Sequence, residues 1–461
     1  MNDIITQLTD ALGEKTVITG SSISEKYKTD WSGVKGLLPI AVIRASSTED
    51  VASTLKICND NKQPVVIQGG MTGISAGAVP QNNEIAISLE RMSGVIEVDT
   101  DSMTITAHAG TPLQVLQEAA EEVGLCLPLD MGSRGTCTAG GVVSTNAGGN
   151  QVIRYGSTRA LVLGLEAVLP NGTIISSLNK MLKNNAGFDL KHLFIGSEGT
   201  LGIVTKVVMR LYPKANSVQT ALCALSNFSD VLALLKKSYS SLGDGVTSFE
   251  VMWANYFDEV IDTVEQAASP FQQSYPFYAL IEYQGQDHQQ DNEKFSSVLF
   301  ETMESGLVAD AVIAQSAKQT ASFWQIRDGI GELLSTMGPV VNTDISVPIS
   351  QMKNFVEQLE SSLYEAFPTI KLRIFGHIGD SNLHLCAGTG LAEDLDAISA
   401  NIMNMTGQFK GSVSAEHGIG VLKKKYLHYS RTPEEIELMR ALKNTMDPNG
   451  ILNAGRVIYP L

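Results

Sequence analysis

An α+β fold in at least two domains is predicted, on three observations. The chain has 461 residues and is 43% apolar, enough for more than one large core. A βαβ pattern near the start, and helical segments alternating with strand-like ones further on, mix the two periodicities. Glycine is unevenly spread: 20 of the 41 fall in the 134 residues from Gly69 to Gly202. Such an excess marks tight turns or backbone lying close to something.

Residues 40–44 (Ile-Ala-Val-Ile-Arg) read as a buried strand, and 48–60 place Val51, Leu55 and Cys58 at helical spacing. Residues 64–68 (Pro-Val-Val-Ile-Gln) read as a second strand, making a βαβ unit over 40–68. Strands follow near 84–89, 94–98 and 103–107. Thr111-Pro112-Leu113-Gln114 has the form of a capping box with proline at the first helical position. Leu113, Leu116, Ala120 and Val123 supply its apolar stripe, and Gly124 ends it. Residues 170–173 (Pro-Asn-Gly-Thr), between two apolar runs, signal a hairpin.

Beyond Pro213 glycine thins out. Helical segments at 229–241, 292–305 and 351–365 alternate with strands at 277–283, 308–313 and 370–375, a second α+β domain. Thr432-Pro433-Glu434-Glu435 is another capping box, and residues 447–450 (Asp-Pro-Asn-Gly) end that helix. The expected domains are 1–213 (core 37–213), 214–425, and a C-terminal helix and tail at 426–461.

Charge and cysteine exclude several functions. Lys and Arg number 33 against 49 acidic residues, a net charge of −16. An acidic chain lacks the basic footprint of a nucleic-acid binder. The five cysteines (58, 126, 137, 223, 386) form no CxxC pair, which fits neither a disulfide scaffold nor a zinc ribbon. There is no long uncharged apolar run for a membrane span, and the start lacks a signal-peptide pattern. A reducing, cytoplasmic setting is expected.

Three glycine-rich loops stand out. Gly69-Gly70-Met71-Thr72-Gly73 follows a strand and is either a phosphate cradle or an ordinary turn. It matches neither GxGxxG nor the P-loop. In residues 140–150 two glycine pairs bracket Ser144, Thr145 and Asn146, backbone able to lie flat on a planar ring. Residues 196–202 (Gly-Ser-Glu-Gly-Thr-Leu-Gly) form a third close-approach loop. Three such loops in one domain favour a single large cofactor.

A second signal lies outside that domain. His377 and His384 are symmetric about the 380/381 bond, within turn chemistry at Gly379-Asp380-Ser381-Asn382. In a hairpin they would face each other, with Cα atoms about 5 Å apart. That suits either two structural histidines or two imidazoles sharing a metal. Glu416 and His417 add a carboxylate and a third histidine, which favours the metal. Arg327, beside Phe323 and Trp324, is either a carboxylate clamp or a surface helix charge.

Together these segments resemble the flavin-linked oxidases and dehydrogenases of the vanillyl-alcohol oxidase and p-cresol methylhydroxylase type, in the D-2-hydroxyacid dehydrogenase branch. The resemblance covers residues 10–458. It rests on the order of Gln68 to Gly73, Pro128-Leu129-Asp130, Gly140 to Gly149, Arg154-Tyr155-Gly156, Phe194 to Val204, Gly376 to His384, Glu416-His417-Gly418 and Asp447 to Asn453. It implies a two-subdomain FAD-binding domain and an antiparallel-sheet α+β cap domain over the isoalloxazine. Gly69, Gly70, Met71, Thr72 and Gly73 would bind the pyrophosphate. Pro128, Thr138, Gly141, Ser144, Asn146 and Ala147 would line the flavin. Ile203 and Val204 would meet the adenine half, and Asn453 joins the cofactor set. The first loop holds no histidine, so the FAD is expected to be noncovalent.

By the same resemblance His377, His384 and Glu416 hold a divalent metal, zinc by preference, and His417 is the base. The metal would take the substrate hydroxyl and carboxylate, His417 would remove the hydroxyl proton, and the Cα hydride would pass to flavin N5. Arg327 gains the carboxylate-binding role. The partners implied are a small 2-hydroxyacid and an electron acceptor: an electron-transfer flavoprotein, a quinone or a cytochrome. A homodimer is implied as well. Three positions depart from the branch's 2-hydroxyglutarate enzymes, which carry Lys at Asn342, Thr at Gly331 and Asn at Cys386. Losing that Lys favours a D-lactate-like or broader substrate. Competing readings are a 2-hydroxyglutarate-specific dehydrogenase, an O2-using alcohol oxidase and a non-catalytic flavin subunit.

Overall fold

A computed structural model describes residues 2–459 and divides the chain into two compact units. The first comprises residues up to Gly149, Gly156–Lys214 and the segment from Glu416 onward. The second comprises Asn150–Tyr155 and Ala215–Ala415.

The first unit holds two main sheets. In one, the strands Ala41–Arg44 and Val65–Gln68 both run parallel to Ile85–Ser88, which lies between them. The two outer strands of the expected βαβ unit therefore share a sheet without touching. The intervening helix Thr48–Asp60 is capped by Ser47, whose Oγ accepts from the Asp50 N–H at 3.1 Å. It buries Val51, Leu55 and Cys58 against Ile43, Val65 and Ile87. The other sheet is five-stranded and antiparallel, in the order Val95–Asp99, Thr104–His108, Ile203–Arg210, Val162–Val168, Ile174–Ser177. Its last two strands are the hairpin expected from residues 170–173, closed by Leu169 N–H donating to Thr173 O at 2.9 Å.

The C-terminal segment is built into this unit. Ile451 O accepts from Val65 N–H at 2.9 Å, and Leu452 bridges to Val65. Fully buried Arg456 donates to Glu84, to Val79 O at 2.7 Å and to Gly77 O. The helix Pro433–Met446 opens with the predicted capping box between Thr432 and Glu435.

The capping box expected at Thr111 does not form. The helix starts at Leu113 with Pro112 as its cap, and Thr111 turns its hydroxyl to the carbonyls of His108 and Gly94. A strand-end turn wins because the buried hydroxyl there both accepts from Gly94 N–H at 2.9 Å and donates to His108 O at 2.7 Å. Leu113, Leu116 and Ala120 are buried as expected, but Val123 lies past the helix end and is exposed.

The second unit is a seven-stranded antiparallel sheet. Its order is Asp310–Ile313, Ser217–Leu225, Phe277–Gly285, Val246–Trp253, Lys371–His377, Asn382–Gly388, Val341–Ser346. One face carries the aromatic core of Tyr256, Phe257, Tyr278, Phe323 and Phe375. Helices Ala254–Thr263, Ala317–Asp328 and Ile330–Met337 contribute to that core. The same face continues along the sheet into the polar residues described next.

Candidate active site

Cross-strand register assembles the polar cluster. The strands Lys371–His377 and Asn382–Gly388 pair with Phe375 opposite His384. The predicted register, with His377 opposite His384, is therefore corrected: the hairpin centres one residue earlier. Its cause is the turn itself, where Ile378–Asp380 form one tight 3-10 turn and Ser381 takes a left-handed φ of 75°. Recentring by one residue moves the pairing by two, so both histidines keep the same face. They sit diagonally, with ring centroids 5.3 Å apart and planes at 75°. His384 also stacks on Phe375 at 4.9 Å.

Glu416 follows directly on the second unit's last residue. Candidate ligand atoms of His377, His384 and Glu416 all lie within 4.8 Å of one another. Two imidazoles and a carboxylate are a usual donor set for zinc or a similar divalent ion. The surroundings fit as well. Asn382, two residues before His384, is buried, and neither its amide oxygen nor its nitrogen has a hydrogen-bond partner among the described residues. A buried amide without partners is costly, so a polar ligand belongs beside it.

Glu250 orients this cluster. It lies opposite His377 across the neighbouring strand, buried, with Oε1 2.6 Å from His377 Nδ1. Oε2 accepts from Arg327 Nε at 2.8 Å, and Arg327 Nη2 lies 3.1 Å from His377 Nε2. A guanidinium only donates, so His377 Nε2 accepts and Nδ1 carries the proton toward Glu250. In that tautomer the ring's one available lone pair is on Nε2 and faces Arg327 Nη2, so a metal held there would replace that hydrogen bond and give the usual carboxylate–histidine–metal arrangement. Burial alone would raise the Glu250 carboxyl; its interactions with His377 and with the Arg327 cation outweigh it and hold it at about 2.

Arg327 is thus no surface charge. It is buried at the end of the helix Ala317–Asp328, 5.0 Å over the Phe375 ring. Sequence reasoning missed Glu250. It missed Asp344 too, which is fully buried directly opposite His384. Neither sits in a local motif, and only strand register reveals them.

Two of the three departing positions, Asn342 and Cys386, belong to a row on the same face. Asn342, Cys386 and Arg373 lie in register on adjacent strands. Cys386 is fully enclosed; burial pushes its thiol up to about 12, and Sγ donates to Asn342 Oδ1 at 3.4 Å. Arg373 is ion-paired with Glu259. Gly331 is exposed, with open space where a side chain would start.

The glycine-rich loops lie in the first unit, the second of them as far as Gly149. Gly70 cannot be replaced without collision, since a Cβ would sit 2.1 Å from Thr136 O. Gln68 and Asp30 flank the Gly69–Gly73 loop, and Gln68 Oε1 and Asp30 Oδ2 are buried without a partner among the described residues. The glycine clearance fits backbone lying against a polar cofactor, and the two acceptor oxygens would meet its hydrogen-bond donors rather than its phosphates. Thr138 caps the short helix Ala139–Thr145, and Asn146 ends it with a left-handed φ of 51°. Pro128 and Ala147 are buried, while Gly141 and Ser144 are partly open.

Other glycines serve the protein itself. A Cβ at Gly149 would lie 1.9 Å from Asp130 O, so this residue is needed for chain-to-chain contact. Asn453 is likewise committed: Oδ1 accepts from Ile67 N–H at 3.0 Å and Nδ2 donates to Glu198 O at 2.6 Å. Ile203 and Val204 are buried strand residues, with Ile203 in the core.

Comparison with known proteins agrees with this architecture. Residues 39–177 match the FAD binding domain, and 214–457 match the C-terminal domain of FAD linked oxidases. The mitochondrial D-2-hydroxyglutarate dehydrogenase of Arabidopsis thaliana is 39% identical over 97% of this chain and 80% of its own length. A D-2-hydroxyglutarate dehydrogenase from Xanthomonas citri pv. viticola is 38% identical over 94% of this chain and 92% of its own. Among solved structures, p-cresol methylhydroxylase with bound substrate superposes with a TM-score of 0.81 at 16% identity, over 99% of this chain and 96% of that one. That likeness concerns the fold. The two matched domains and the identity across both chain lengths place this protein in the FAD-linked oxidase family, alongside the D-2-hydroxyglutarate dehydrogenases.

Proposed function

We propose that the protein is an FAD-dependent dehydrogenase that oxidises a D-2-hydroxyacid to the 2-oxoacid. The observation that carries this reading is the convergence of His377, His384 and Glu416 within 4.8 Å, in a chain of this family. His377 through Nε2, His384 and Glu416 would hold a divalent metal, zinc by preference. Bound there, the ion supplies Lewis acidity that lowers the pKa of a coordinated hydroxyl. Bound FAD supplies the acceptor for the hydride that leaves the substrate carbon. Gly69, Gly70, Met71, Thr72 and Gly73 would hold its pyrophosphate, and Pro128, Thr138, Gly141, Ser144, Asn146 and Ala147 its ring.

The chain's own residues do the rest. His417 takes the hydroxyl proton as the general base. Arg327 offers a fixed cation to the substrate carboxylate, held in place by Glu250. The cytoplasmic setting and a homodimer belong to the same proposal, as does an electron-transfer flavoprotein, quinone or cytochrome as acceptor.

The test is anaerobic stopped-flow reduction of the flavin across D- and L-2-hydroxyacids, with and without a chelator. Rapid bleaching by D-acids only, abolished by the chelator and restored by zinc, is the expected result. A protein that cannot be reconstituted with FAD, or whose reduction ignores the chelator, sinks the corresponding half of the proposal.

Substrate choice within the class turns on Asn342. The relatives' names point to 2-hydroxyglutarate. In this chain the row Asn342–Cys386–Arg373 offers no uncompensated cation, because Arg373 is already paired with Glu259. A D-lactate-like or longer apolar acid fits that row better than a second carboxylate. Asn342→Lys is then expected to raise kcat/KM for D-2-hydroxyglutarate relative to D-lactate by about tenfold, one charge-assisted hydrogen bond's worth. A wild-type enzyme that already prefers 2-hydroxyglutarate strongly would overturn the assignment.

A further inference from the structure

We infer that Glu198 is a positioning residue, which clamps the loop carrying Glu416 and His417 into its working conformation. The inference rests on the metal and base assignments above. Both carboxylate oxygens fork over successive amides of that loop: Oε1 accepts from Ile419 N–H at 2.7 Å and Oε2 from Gly420 N–H at 2.8 Å. The loop is shaped for this contact. Gly418 has a left-handed φ of 78°, and a Cβ there would lie 2.9 Å from Glu198 Oε1.

Ser75, two residues past the first glycine-rich loop, holds the other side. Its Oγ donates to His417 O at 2.8 Å and Gly418 O at 3.0 Å. Its carbonyl accepts from Val421 N–H at 2.9 Å. Glu198 is itself fixed: its N–H donates to Ser144 O at 2.8 Å, and its carbonyl accepts from Asn453 Nδ2 at 2.6 Å.

Its backbone sits at a φ of 52°, in the left-handed region where glycine would be preferred. A residue that bears this strain between two glycines, Gly196 and Gly199, does so for its side chain. The loop Gly196–Gly202, one of three that the glycine pattern marks as close to a cofactor, therefore spends its one charged side chain on the Glu416–Gly420 segment. The three loops come together there: Ser75 just past the first, Ser144 from the second through Glu198, and Glu198 from the third.

The experiment uses the full-length protein with bound FAD. Zinc affinity is measured by competition with a chromophoric chelator, deuterium exchange is followed in the peptide spanning 416–422, and flavin content is read from absorbance. Glu198→Leu is expected to weaken zinc binding by about 10- to 100-fold and to speed exchange in that peptide, with flavin retained. Glu198→Gln, which keeps one acceptor oxygen, should fall between it and the wild type. Should Glu198→Leu fail to fold, Glu198→Gln decides by the same two readings. Wild-type exchange in 416–422 in either folded variant overturns the clamp. If the wild type binds no zinc and His377→Ala changes nothing, the metal assignment fails, and the exchange data alone still decide the clamp.

Discussion

Replacing His417 with alanine is expected to lower the rate of flavin reduction by about 10²- to 10⁴-fold, the usual worth of a positioned general base. Alanine cannot take the hydroxyl proton, and water at the site is a poor substitute. The distinguishing feature is what survives. Zinc affinity and the flavin spectrum should stay as in the wild type, because His417 is assigned no ligand role. Glu416→Gln should do the reverse and release the metal first. Added imidazole should partly restore the His417→Ala rate, and the primary isotope effect on the substrate Cα–H should persist. A variant within threefold of the wild-type rate would falsify the base assignment, whatever happened to the metal. Retained activity in Glu416→Gln with zinc lost would count instead against the Lewis-acid role.

Much of the fold was legible because local patterns decide it. The helix Thr48–Asp60 was visible from Val51, Leu55 and Cys58, which pack against the parallel sheet as spaced. The hairpin at 170–173 and the capping box at Thr432 were visible from turn and cap chemistry. Thr111 shows the limit. Its sequence fits a cap, but backbone groups of Gly94 and His108 nearby compete for the hydroxyl and win. The strand Ile85–Ser88, which slots between the two strands of the βαβ pattern, shows a second limit. Periodicity identifies a strand and says nothing about its neighbours.

The site divides in the same way. His377, His384 and Glu416 announce themselves by residue type, and the structure brings them together. The predicted register was off by one pair because Ser381 adopts a left-handed conformation that a symmetric hairpin does not need. Two-residue periodicity kept the error harmless to the face. Glu198 was readable only as part of a glycine-rich loop, since its partners Ile419 and Gly420 are more than 200 positions away. The glycine excess likewise has two causes: Gly70 clears a cradle, while Gly149 lets two stretches of the protein's own backbone meet.

Glu250 yields the other large effect, because it is the anion on which two cationic or polar partners depend. Changing Glu250 to leucine leaves Arg327 buried without a carboxylate and His377 without the acceptor that fixes its tautomer. Breaking a buried ion pair from one side costs about 3–5 kcal/mol, more than the pair itself contributes. Urea denaturation should therefore show a large drop in stability for Glu250→Leu. Zinc affinity should fall as well, since the ring is free to turn Nε2 away. The double variant Glu250→Leu with Arg327→Met separates the two consequences. Removing both charges takes away the uncompensated ion, so most of the stability should return. The tautomer control and the carboxylate clamp do not return, so flavin reduction should stay slow. If instead the double variant is as unstable as Glu250→Leu alone, the loss comes from packing around Phe375, and the electrostatic account of this cluster is wrong.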